Sequence, residues 1–87
     1  MTQLGGDVEQ LARLRATLMQ QSQSIEALAA GLRQQLADTE WHGPAAERFR
    51  AAWASDFEPT LRRLHSAMQE AGQDVGRHRE ALLRAGG

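Results

Sequence analysis

Trp41-His42-Gly43-Pro44 stands at the middle of the chain, between two long stretches that both carry a helical pattern. It is the only strong helix-stopping signal between residues 7 and 58. Pro44 donates no N–H and has a fixed φ, so it suits the first position of a helix and is costly inside one. Gly43 before it adopts a non-helical conformation without steric cost. The chain is therefore expected to fold in half, with helix over about residues 7–40, a turn at 41–43 and a second, antiparallel helix over about residues 44–84. All the aromatic residues, Trp41, Phe49, Trp53 and Phe57, lie at or just after the fold point. This predicts bulky core packing near the bend.

Apolar positions in the first half run Leu4, Val8, Leu11, Leu18, Ile25, Ala29, Leu32 and Leu36, with Arg15 and Ser22 filling the gaps. The spacing alternates four and three, the heptad seam of packed helices. Leu14 and Leu28 lie beside the seam and widen it, and a wide stripe serves more than one neighbouring helix. Asp7 is positioned as an N-cap. In the second half Phe57, Leu64, Ala71 and His78 recur every seven residues, with Leu61, Met68, Val75 and Leu82 as the companion series. Pro59 is expected to kink the second helix or to start a new segment.

A two-helix hairpin gives each helix one neighbour and leaves such stripes partly in water. The economical arrangement pairs two hairpins into a four-helix bundle dimer. The expected hairpin or dimer interface comprises Leu11, Leu14, Leu18, Ile25, Leu28 and Leu32, with Leu61, Leu64, Met68 and Val75 from the second half. Arg15 is placed on the seam opposite about residue 69, so Glu70 is its candidate partner; the alternative is that Arg15 snorkels from the seam edge.

Composition excludes several functions. The 87 residues make one domain at most and support only a limited core. Cysteine is absent, so neither disulfides nor thiolate metal sites supplement it. Net charge is −1 with signs interspersed, which argues against nucleic-acid binding. No apolar run approaches the roughly 18 residues of a membrane span, and the start of the chain does not read as a Sec-type signal peptide. His42, His65 and His78 lack metal-ligand spacing, and no nucleophile motif or phosphate loop occurs. The sequence thus predicts no enzyme activity, no metal and no cofactor.

A chain of this length, two heptad helices and Trp41-His42-Gly43 at the bend together resemble the WXG family of type VII secretion substrates, the early-secretory-antigen-like helical hairpins. The resemblance spans essentially the whole chain. Trp41 and Gly43 match the defining motif, and Ala45, Ala46 and Phe49 match the small-small-x-x-aromatic pattern that follows it. It implies a secreted, non-enzymatic subunit, cytoplasmic before export and leaving without a Sec signal. Many members carry Tyr-x-x-x-Asp/Glu after the second helix; this chain has no tyrosine, and His78 and Leu82 stand near the corresponding places. The resemblance therefore implies that Trp41 and Gly43 supply one half of a bipartite secretion signal. A cognate member with the Tyr-containing tail would supply the other half, and that tail would engage the secretion-system ATPase. Homodimerisation remains the other partner choice. Two further readings stay open, a homodimeric structural or chaperone-like hairpin that escorts a larger effector, and a membrane-active amphipathic protein. The mixed charge of the polar faces disfavours the last.

Overall fold

A computed structural model describes residues 5–86; Leu4, placed above on the first seam, lies outside them. Among the described residues all regular structure is helical. It comprises α1 (Val8–Asp38), α2 (Pro44–Ala52), a π-helical turn (Trp53–Phe57) and α3 (Glu58–Ala85). The chain is a helical hairpin, one layer thick, with principal extents of 63 × 23 × 12 Å.

The helix ends follow local chemistry. Asp7 is extended, and its Oδ1 accepts from the Glu9 and Gln10 amides, each at 2.9 Å, which satisfies two donors that the first turn leaves free. Gly43 caps α2 with φ +110° and ψ 176°, a region essentially reserved for glycine, and Pro44 follows at the first helical position. The first helix stops at Asp38 rather than near residue 40, and residues 39–43 form the connection.

A new α-helical segment starts at Glu58 with Pro59 in its first turn, as the sequence predicts, and the second arm stays helical across the junction. The helix widens just upstream, where the Glu58 amide bonds back five residues to the Trp53 carbonyl. Proline in a regular helix clashes with the carbonyl four residues earlier. The wider turn relieves that clash while Ala52, Phe57 and Glu58 keep helical dihedrals.

α1 packs antiparallel along α3, in a register offset from a simple fold-back. Arg15 lies across Gly76, where a β-carbon would sit 2.9 Å from its Nε; it is exposed and forms no ion pair with Glu70. Met19 packs on Gly72, and Arg33 pairs with Glu58 at 2.7 Å. The offset comes from the connection. Thr39 is extended, and a five-residue extended segment climbs about 16 Å, the rise of about eleven helical residues. Pro44–Ala52 therefore projects past the end of α1, and every later residue of the second arm is displaced along it.

Few side chains are fully buried. Ala29, Ala46 and Trp53 are the buried hydrophobic residues among those described, joined by Ser22 and Gly72. Leu11, Leu18, Ile25, Leu61, Met68 and Val75 are half-buried along the α1–α3 seam, while Leu14, Leu28, Leu32 and Leu64 are exposed. By helical phase these four leucines share one broad side of the seam with Phe57. On the opposite side Glu26, Arg33, Arg62 and His65 rim a shallow groove of about 340 Å³ that Ile25, Ala29, Ala30 and Leu61 also line.

Candidate functional site

The end of the hairpin that projects past α1 carries the Trp-X-Gly motif. Trp41 and Gly43 lie on the connection, and Phe49 and Arg50 lie on the last turns of α2. The Trp41 ring is 6.2 Å from Phe49, and Phe49 is 6.0 Å from Phe57, both pairs tilted. Such geometry suits aromatic quadrupoles. These three rings form a continuous ladder with 38–46% of each residue exposed. The expected bulky core packing near the bend is therefore met within the hairpin by Trp53, while Phe49 and Phe57 are exposed. A π-turn takes more residues per revolution, so Phe57 lags into phase with Phe49 while Trp53 turns inward. Trp53 is 7% exposed, and its Nε1 has no hydrogen-bond partner.

Arg50 organises the tip. Its Nη1 donates to the Trp41 carbonyl at 2.6 Å, and its Nη2 donates to the carbonyls of Leu36 and Thr39, each at 3.0 Å. The guanidinium also sits 5.8 Å from the Trp41 ring centroid, within cation–π range. The last carbonyls of α1 lack intrahelical donors. Arg50 supplies one to Leu36 across space, where a positive charge also suits the negative end of the helix dipole. Sequence reasoning missed this residue. An arginine nine positions after a tryptophan is no motif, and the role exists only once the connection lies beside α2.

Along the rest of the hairpin, polar contacts fix α1 against α3. The Ser22 hydroxyl, fully buried, donates to the Met19 carbonyl at 2.8 Å, and the Ser22 carbonyl accepts from His65 Nδ1 at 2.7 Å. His65 Nε2 lies 3.1 Å from a Glu26 carboxylate oxygen. Glu58, with a side chain 13% exposed, receives Arg33 and, at 3.3 Å, Arg62. The Arg33 hydrogen bond holds the Glu58 carboxyl below the usual carboxylate range; desolvation opposes this, and the charges of Arg33 and Arg62 reinforce it. At the open end His78 Nε2 donates to the Gly5 carbonyl at 2.9 Å and Arg79 Nε to the Val8 carbonyl at 3.0 Å. His78 thus belongs to the hairpin's own closure.

Among the described residues no three His, Cys, Asp or Glu side chains gather as a metal site, and no helix is long and apolar enough to cross a membrane. The chemistry on offer at the tip is contact, through aromatic faces and one indole N–H, on a backbone pinned by Arg50. No family model matches the chain, and neither a curated protein nor a solved structure matches it.

Proposed function

We propose that this chain is a non-enzymatic binding and export module, one subunit of a WXG-type dimer that leaves the cell by type VII secretion. In this reading Trp41 and Gly43 supply its half of a bipartite signal. The observation that carries the proposal is the Trp41 indole, 39% exposed at the tip beside a glycine whose backbone no other residue adopts readily. A tryptophan serving only as an internal cap would be buried, as Trp53 is.

The need for a partner has separate support. The accessible surface is 6499 Å². A compact 9.6 kDa monomer exposes about 5100 Å². The excess, roughly 1400 Å² per chain, is the scale of obligate interfaces. Its natural place is the side bearing Leu14, Leu28, Leu32 and Leu64, which a second hairpin would cover as a four-helix bundle. The second hairpin is either a cognate member with the Tyr-containing tail or another copy of this chain. The native mass of the purified chain, alone and co-expressed with a neighbouring small reading frame, decides between them. In the heterodimer, contact with the secretion ATPase runs through the partner's tail.

Export of Trp41→Ala tests the function directly. Helical content and pairing are expected to stay intact, because the seams lie away from the tip, while secretion falls. Normal export would reduce Trp41 to a structural element.

A further inference from the structure

We infer that Arg50 is the positioning residue of the tip, a latch that sets how Trp41 is displayed; this rests on the reading of Trp41 as a contact residue. Three backbone carbonyls, from the end of α1, the connection and Trp41 itself, converge on one guanidinium that also faces the Trp41 ring. These carbonyls span residues 36–41, so a single side chain ties the last turn of α1 to the start of the motif. The aromatic neighbours do not fix the ring by themselves. Phe49 lies tilted at 6.2 Å from it, centroid to centroid, and both are more than a third exposed. The planar fork of arginine suits this position. Nη1 serves one carbonyl and Nη2 two others from a rigid plane, and the same plane faces an aromatic ring. The lysine ammonium is a compact point charge on a flexible stem and does not reproduce that arrangement. The motif is therefore larger than its triplet. Trp41 supplies the contact, Gly43 the permissive backbone and Arg50 the geometry.

The test uses the full chain labelled with 5-fluorotryptophan, whose two fluorine resonances are assigned by loss of one signal in Trp41→Phe. Arg50→Gln and Arg50→Lys are compared with Arg48→Gln, an exposed arginine on the same helix. In both Arg50 variants the Trp41 resonance is expected to move and to gain solvent sensitivity, the Gln variant more than the Lys. The Trp53 resonance and the circular dichroism should hold. Arg48→Gln should change none of these. A Trp41 resonance that stays in place in both Arg50 variants would overturn the latch. So would equal movement of the Trp41 and Trp53 signals, since it would mark a general loss of packing. Export separates this from the functional reading. Displaced Trp41 fluorine in Arg50→Gln, with normal export of Trp41→Ala, leaves the latch standing and removes the secretion role.

Discussion

The α1–α3 seam and the tip are stabilised by opposite means. Along the seam the contacts repeat: leucine, isoleucine, methionine and valine at heptad spacing, half-buried, with small residues where the helices come closest. At the tip nothing repeats. One buried tryptophan, one arginine serving three carbonyls and a glycine at φ +110° hold the chain in a shape that no periodic pattern describes. The seam is extensive but incomplete, since its leucines on one side remain in water. The tip is small, and one arginine side chain gathers three of its backbone carbonyls. The difference separates two roles. On the reading proposed above, the open apolar side takes another helix pair, whereas the tip is tied by Arg50 from within its own hairpin.

Substituting the seam should have the largest effect. Leu28→Glu or Leu64→Glu places a charge that an isolated hairpin leaves solvated, because these residues are 54% and 46% exposed. In a four-helix bundle the same charge is buried unpaired and costs on the order of 3–5 kcal/mol. Sedimentation equilibrium, with the cognate chain present where the pair is a heterodimer, should then show unpaired hairpin for both variants and dimer for Trp41→Ala. A Leu28→Glu chain that stays dimeric with unchanged melting would take Leu28 out of the interface.

Within the tip, Trp53 and Phe57 should part company. Trp53→Ala removes the largest buried apolar side chain among the described residues and should cost about 3 kcal/mol or more in thermal or urea unfolding. Phe57→Ala, from an exposed ring, should cost about 1 kcal/mol or less. Equal losses would mean that the ladder is covered in solution.

A smaller effect, of the opposite sign, is expected on the outer side of α1. A β-carbon at Gly31 meets nothing within 4 Å. Gly31→Ala should therefore stabilise by about 0.5–1 kcal/mol through helix propensity, seen as a raised Tm. No gain would place another chain against that side.

The smallest expected effect concerns pH. The Glu58 carboxyl titrates below its ordinary range when folded. Its contribution to stability is thus present above the unfolded carboxylate value and fades as pH falls through the lowered one. Glu58→Gln should flatten the acid limb of a stability–pH curve and leave the tip's fluorine signals unchanged.

Much of this architecture is legible in the chain. Gly43-Pro44 stops a helix by covalent geometry, Asp7 caps one by its own side chain, and the heptad spacing selects one side of each helix. All of these act within a few residues, so local physics suffices. The register and the aromatic arrangement are not local. Arg15 meets Gly76 instead of Glu70 because an extended connection rises more than twice as far per residue as a helix. The length of that connection is settled only when Arg50 draws it along α2. Phe49 and Phe57 face water while Trp53 turns inward because the π-turn before Pro59 shifts the helical phase. Where the chain folds back, and which residues seek burial, follow from the order of the amino acids. Which of them obtain burial within one hairpin, and that Arg50 governs the tip, follow from packing, because both depend on distances between segments that no spacing along the chain encodes.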